Sequence, residues 1–242
     1  MSKVTWKPGT FINPVPAVMV SCGTMEKSNI VTVAWTGTIN SDPAMCYISL
    51  RSSRYSYKII KESGEFVINL TTSRLTKATD WCGCRSGEKF DKFKEMNLTK
   101  EKANFVKCPM IKESPVSIEC KVKEIKELGT HHMFIAEVLA INVNEDFIDR
   151  NGAFDIQKCD LISYANGGYY AQGRKIGKFG FSVMKNKNIK KGKVKNNIKI
   201  SSKNKGQNNK KNTANNKGKY KKQNKKENKK ENKKTKKTKN KL

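Results

Sequence analysis

Residues 29–60 read NIVTVAWTGTINSDPAMCYISLRSSRYSYKII, and this stretch decides the fold. Its first part, Ile30 to Trp35, is rich in β-branched side chains, which predicts a strand. Its middle part, Met45 to Arg51, alternates apolar and polar residues and predicts a second strand. The polar residues between them, 36–43, are interpreted as a long loop. The first part of this stretch is therefore predicted to form two neighbouring strands.

The end of the same stretch predicts a helix that begins on an anion-binding turn. Apolar residues return at helical spacing from Arg54 to Glu62, and a serine just before them is the expected cap. The turn 52–56 combines serine hydroxyls, an arginine and the free N–H groups of a helix start. Such groups bind anions, and the arginine fork suits phosphate. A capped surface helix with a solvated arginine is the alternative.

The rest of the chain up to residue 184 supports a mainly β fold. Further strands are predicted at 17–22, 65–70, 116–127, 133–143 and 160–164, short helices at 75–81 and 90–96, and a Gly/Tyr-rich segment at 167–171. Strands adjoin strands more often than they alternate with helices. This pattern favours a β-barrel of six or seven strands with short helical insertions. No phosphate-binding glycine motif of the Rossmann or P-loop kind occurs.

The net charge of +29 is concentrated at one end of the 242-residue chain. Residues 185–242 hold 25 lysines and two acidic residues, which leaves a net charge of +6 on residues 1–184. The Lys/Asn-rich end has too few apolar residues to offset the entropy of ordering, so we expect a disordered low-complexity tail. The organisation predicted is one domain, 1–184, followed by this tail, 185–242.

The seven cysteines and the absence of long apolar runs indicate where the protein works. No run approaches the roughly 18 apolar residues of a membrane span, and no signal peptide is visible, so we expect a cytoplasmic protein. An odd number of scattered cysteines is typical of buried thiols in a reducing compartment. Cys82 and Cys84 have one residue between them, and only two histidines occur, so no metal site is expected.

Several motifs, taken in their order along the chain, resemble those of a known family. They are Asn13-Pro14-Val15-Pro16, Ile30 to Trp35, Thr36-Gly37-Thr38, Ser41-Asp42-Pro43, Tyr47 to Arg51, Ser53-Arg54-Tyr55-Ser56, Glu65 to Leu70, Pro115-Val116, Glu119 to Val122 and Gly129 to Val138. This ordered set resembles the flavin reductase-like, FMN-binding split-barrel family, in particular its flavoredoxin-type members. The match covers nearly all of residues 5–184.

The resemblance implies a homodimeric antiparallel split barrel with FMN near the subunit interface. It assigns the isoalloxazine ring to the segment after the second strand, and the phosphate to the turn that opens the helix. The ring residues are Trp35, Thr36, Gly37 and Thr38, with Tyr164 nearby and Tyr169-Tyr170 as a cover. The phosphate residues are Ser52, Ser53, Arg54 and Ser56, with Asn29 and Lys92 at the ribityl and phosphate ends.

One histidine is a candidate catalytic residue. His131 aligns with the family's histidine at the start of a long strand, where it faces the flavin. Relatives often carry aspartate in place of Thr130 or of His132. This chain has neither, so the group that orients His131 is left open.

The reaction implied is electron transfer through FMN to an acceptor, with NADH, NADPH or an iron–sulfur partner protein as donor. A different class of function is nucleic-acid or anionic-surface binding by the polybasic tail, with the barrel as scaffold. The tail has no arginine and one aromatic residue, Tyr220, so such binding would be non-specific. A flavin-free heme- or pyridoxine-related member of the wider split-barrel group is a third alternative.

Overall fold

The computed structural model describes residues 1–184. The strands are β1 (Val15–Pro16), β2 (Val18–Gly23), β3 (Ser28–Val33), β4 (Thr36–Ser41), β5 (Ala44–Leu50), β6 (Glu65–Asn69), β7 (Lys100–Glu101), β8 (Met110–Ile111), β9 (Val116–Glu127), β10 (His132–Val143), β11 (Ile162–Ala165) and β12 (Gly168–Ala171). The α-helices are α1 (Tyr55–Ser63), α2 (Thr76–Cys84) and α3 (Lys92–Glu95). The tail predicted for 185–242, and the binding function considered for it, lie outside the described residues.

Seven of the strands form one antiparallel sheet in the order β3-β2-β6-β9-β10-β5-β4. Its two edge strands, β3 and β4, follow each other in the chain and are separated by only Ala34 and Trp35. Because so short a connection keeps the two edges together, the sheet curls into a barrel that is split between β3 and β4. The mainly β, antiparallel split barrel predicted from the sequence is confirmed.

The barrel interior is built by strand alternation, which sends every second side chain inward. On β5, Cys46, Ile48 and Leu50 are buried while the residues between them are partly exposed. Phe134 on β10 and Phe66 on β6 are fully buried in the same cluster. The 12-residue strands β9 and β10 form the longest hairpin of the described chain, with the bounds of β9 as predicted.

The predicted polar loop at 36–43 is wrong, because most of it forms β4. Thr36 pairs with Ile48 and Thr38 with Cys46, and the Thr36 hydroxyl donates to the Tyr47 carbonyl at 2.6 Å. β4 is an edge strand whose later residues are exposed. Its polar composition reflects that exposure and not a lack of regular structure.

Helix α1 follows β5 directly and lies against the barrel through Tyr57 and Ile60, which are buried. The expected serine cap is wrong: Arg54 is the N-cap residue, and no side chain caps the helix. The first N–H groups of α1 are therefore left without a side-chain acceptor. The helix ends at Gly64, whose φ of 68° only glycine adopts readily, and whose N–H donates to the Ile60 carbonyl.

Helices α2 and α3 cover β2 and β3 and enclose a second apolar cluster. It contains Met19, Ile30, Leu75, Ala78, Cys82, Phe93, Leu98 and Ile111. A small sheet, β1-β11-β12, and the short pair β7-β8 complete the described chain. In residues 1–184 no helix is long and apolar enough to cross a membrane.

Candidate functional site

Two adjoining cavities lie where β3, the start of α1 and the start of β10 meet. The first, here named the Trp35 cavity, has a volume of about 160 Å³ and is lined among others by Val31, Trp35, Arg51, Arg54 and His131. The second, the Lys92 cavity, has a volume of about 110 Å³ and is lined among others by Asn29, Val31, Arg54, Ser56, Arg85 and Lys92. Since Val31 and Arg54 line both, the two cavities form one groove.

Lys92 brings a buried positive charge to the groove. Its side chain is 3% exposed, and Nζ donates to the carbonyls of Ile30 and Cys82 at 2.7 and 2.6 Å. Burial, together with the nearby charge of Arg54, lowers the pKa of Lys92. Two of its three N–H groups are used, so one donor is left for a ligand. A buried cation with carbonyl partners alone favours a bound anion.

Arg54 lies at the junction of the two cavities. It is the N-cap residue of α1, and its Nη1 donates to the Gly83 carbonyl at the end of α2 at 3.1 Å. This bond holds the guanidinium across the groove and leaves its remaining donors free. Together with the uncapped N–H groups of α1, these donors suit a phosphate.

Asn29 and Ser56 close the floor of the Lys92 cavity. Both are buried, and the Asn29 amide donates to the Ser56 hydroxyl at 2.7 Å. A Cβ on Gly87 would lie 2.0 Å from Asn29 Oδ1, so only glycine fits beside Asn29. The loop after α2 therefore depends on Gly87 for its close approach to β3.

His131 and Trp35 face each other in the Trp35 cavity. Their ring centroids are 4.4 Å apart with an interplanar angle of 39°. The Thr130 hydroxyl lies 3.1 Å from His131 Nδ1, so Thr130 is the hydrogen-bonding neighbour of the imidazole. Burial, with the charges of Arg51 and Arg54, lowers the pKa of His131.

His132 points elsewhere, as alternation along a strand requires. Its Nδ1 lies 2.7 Å from the Tyr57 hydroxyl and 3.6 Å from a Glu127 carboxylate oxygen. The two adjacent histidines therefore have different surroundings: His131 lines the groove, and His132 joins β10 to α1.

The structure brings most of the predicted site residues together. Asn29, Ser53, Arg54, Ser56 and Lys92 line the Lys92 cavity, and Trp35, Arg54 and His131 line the Trp35 cavity. The other predicted residues, Thr36, Gly37, Thr38, Ser52 and Tyr164, line neither cavity.

Three of those five are on β4, and Tyr164 is on β11. A Cβ on Gly37 would lie 3.2 Å from the Tyr47 ring, so Gly37 packs closely against β5. Tyr164 packs edge-on against Tyr169, whose hydroxyl donates to Asp80 at 3.2 Å. A role for these residues in cofactor binding stays a prediction.

Sequence reasoning missed several residues of the groove, namely Arg51, Arg85, Ser86 and Gly87. In the run Cys82 to Gly87, CGCRSG, only the spacing of Cys82 and Cys84 enters the sequence-based predictions, as a metal motif. Small residues and an arginine after a helix are also typical of a phosphate-binding loop, and that signal was available. Within residues 1–184 no group of three metal-ligating side chains comes together.

Two of the buried cysteines, Cys82 and Cys46, have different surroundings. Cys82 lies beside Lys92, and burial raises the pKa of its thiol to about 11. Cys46 is inside the barrel, with its Sγ 3.5 Å from Cys120 Sγ. Both side chains are buried thiols, as the sequence predicts.

Comparison with known proteins identifies the family. The model of the flavin reductase-like domain matches residues 11–172. The chain belongs to the flavin reductase-like family. Members of this family are flavin-binding redox proteins, and this chain is a flavin oxidoreductase by that membership.

Solved structures agree with the family. The chain is 31% identical to flavoredoxin of Desulfovibrio vulgaris (Miyazaki F), with a TM-score of 0.71 over 76% of this chain and 100% of that one. It is 30% identical to flavoredoxin from Methanosarcina acetivorans, with a TM-score of 0.68 over the same shares. An FMN-binding protein from Thermus thermophilus, 17% identical with a TM-score of 0.62 over 74% of this chain and 97% of that one, shares the fold.

Proposed function

We propose that this flavin reductase-like chain binds FMN in the groove and passes electrons through it, as a flavin reductase or electron carrier of the flavoredoxin type. The observation that carries the proposal is the buried Lys92 ammonium, which faces a cavity also lined by Arg54 and the start of α1. In residues 1–184 no carboxylate lines either cavity to neutralise these cations. The phosphate of FMN supplies that charge.

The residues present fit FMN along the length of the groove. Ser53, Arg54, Ser56 and Lys92 would hold the phosphate, and Asn29 lies beside them for the ribityl chain. Trp35 and His131 would contact the isoalloxazine ring in the adjoining cavity. Ser52 and Tyr164 are further predicted contacts.

The edge strand β4 offers backbone donors to the ring. It pairs with β5 on one side only, so every second backbone N–H of residues 36–38 faces away from the sheet. Such N–H groups, placed at the polar edge of the ring, would stabilise negative charge on it. The His131 ring would offer one hydrogen bond at the same end of the groove.

When bound, FMN supplies hydride and single-electron transfer. We infer NADH or NADPH as transient donor, or an iron–sulfur protein as redox partner, because FMN accepts either a hydride or single electrons. The protein positions the ring and balances its charge.

We also propose a cytoplasmic homodimer. The described ends of the chain expose large apolar side chains that a second subunit would cover. They include Trp6, Phe11 and Ile12 near the start and Ile176 and Phe179 near residue 184. Trp6 and Phe11 contact each other edge-on at 5.8 Å.

A titration with FMN tests the proposal. The purified protein is expected to be yellow or to bind added FMN, with a change in flavin absorbance and fluorescence. Arg54→Ala is expected to weaken FMN binding by about tenfold or more without unfolding the chain. Arg74→Ala, an exposed arginine before α2, is the control. A colourless protein that takes up no FMN would refute the proposal.

A further inference from the structure

Arg51 brings an unpaired charge to the Trp35 cavity, as Arg85 does to the Lys92 cavity, among the residues that the structure describes. It follows β5 directly and lines the Trp35 cavity beside Trp35 and His131. Its side chain is exposed, and within residues 1–184 it makes no hydrogen bond or ion pair. Arg54, in contrast, is held by the Gly83 carbonyl.

The groove holds enough positive charge to bind a phosphate without Arg51. The Lys92 cavity already has three cationic side chains, Arg54, Arg85 and Lys92, which exceed the two negative charges of a phosphate monoester. Arg51 lies in the other cavity, at the end assigned to the ring. In its oxidised state the isoalloxazine ring is uncharged, so in that state it gives Arg51 no counter-charge.

His131 lines the Trp35 cavity together with Arg51. Its Nδ1 faces the Thr130 hydroxyl, which leaves Nε2 for a ligand. The Arg51 backbone carbonyl accepts from Arg54 N–H at 3.0 Å, so the turn that carries Arg51 is braced against the phosphate turn. One free guanidinium and one free imidazole nitrogen thus border a cavity next to Trp35.

We propose that Arg51 and His131 bind an anionic group, phosphate or carboxylate, on the small molecule that exchanges electrons at the ring. The inference rests on the proposed function and adds the chemical class of the substrate to it. The arginine fork binds either group through two parallel hydrogen bonds. A neutral molecule of the same shape would lack this contact, so Arg51 is a specificity-determining residue.

Two pairs of probes test the proposal on the FMN-loaded full chain. NADP⁺ is compared with nicotinamide, and 4-nitrobenzoate with nitrobenzene, by the change in flavin absorbance. Arg51→Gln is expected to raise the dissociation constant of at least one charged probe about tenfold. The neutral probes and FMN itself are expected to change less than twofold. Arg51→Lys is expected to recover part of the affinity.

Lys58→Gln is the matched control, since it removes one positive charge from an exposed side chain of α1 that pairs with Glu62. An effect confined to NADP⁺ identifies phosphate as the anion, and an effect confined to 4-nitrobenzoate identifies carboxylate. The proposal is overturned if Lys58→Gln weakens binding as much, or if Arg51→Gln weakens FMN binding. It is also overturned if charged probes bind no better than neutral ones, or if Arg51→Gln affects only electron transfer from an iron–sulfur protein.

The test separates this inference from the proposed function. If the chain binds no FMN, the same probes are titrated against the flavin-free protein and followed by the His131 ring proton in NMR spectra. A charged probe that still depends on Arg51 there supports the anion site while the FMN proposal fails.

Discussion

The Tyr57 hydroxyl lies 2.7 Å from Nδ1 of His132, and this contact joins the first turn of α1 to the first residue of β10. The two rings meet edge-on with centroids 5.2 Å apart. Helix α1 begins at the proposed phosphate turn, and β10 begins next to His131. The contact therefore couples the two ends of the groove mechanically, although neither residue lines it.

Tyr57→Phe tests this coupling. The change keeps the ring packed against Phe134 and removes only the hydroxyl, so we expect a loss of about 1 kcal/mol in the free energy of unfolding. Urea denaturation of the flavin-free protein measures it. Tyr55→Phe, on the same turn but exposed, is expected to have no effect. Equal losses in both variants would show that the contact to His132 contributes nothing.

Lys92→Met is expected to separate phosphate binding from ring binding. Methionine keeps most of the side-chain volume and removes the charge, so the FMN dissociation constant should rise about 10- to 100-fold. Riboflavin, which lacks the phosphate, should bind the variant and the unmodified protein about equally. Isothermal titration with both flavins measures this difference.

Lys94→Met is the control for that experiment, because Lys94 lies on the same helix and is exposed. It is expected to bind FMN normally. An equal loss of FMN and riboflavin affinity in Lys92→Met would instead mean that Lys92 acts only by supporting the fold.

Gly87→Ala is expected to damage the floor of the Lys92 cavity. The added methyl would meet Asn29 Oδ1 at 2.0 Å and push the amide away from Ser56. We expect FMN affinity to fall about tenfold through the lost arrangement of donors. Gly173→Ala, where nothing lies within 4 Å, is the matched control. Normal FMN binding by Gly87→Ala would remove this loop from the site.

The pKa of His131 is expected to respond to Arg51. Burial lowers this pKa, and Arg51 and Arg54 lower it further, so the folded state binds a proton less readily than the unfolded chain. Stability contributed by this group is therefore lost as the pH falls through about 6.5 toward the folded value. Arg51→Gln should raise the pKa part of the way back, because burial remains.

Proton NMR titration of the histidine ring signals measures this change. The chain has only two histidines, and His132→Gln assigns the pair. Lys58→Gln should leave the pKa of His131 in place. An unchanged value in Arg51→Gln would show that the guanidinium does not act on the imidazole.

Local patterns in the sequence predict most of the fold. Strand alternation and β-branched composition have a period of two residues, so β5, β6, β9 and β10 were predictable within a residue or two. β4 was not, because an edge strand with one paired side has few apolar residues to reveal it. Whether its residues form a strand depends on β5 lying beside it.

The sequence by itself determined the barrel class, the family resemblance and the turn 52–56 with Arg54. Each of these depends on short segments whose residues are neighbours in the chain. Tertiary structure alone decided which residues share the groove. It buried Lys92 against the Ile30 carbonyl, 62 positions away, and placed Gly87 against Asn29. It also left Arg51 without a partner among residues 1–184. These relationships arise when distant segments pack together, and no local pattern encodes them.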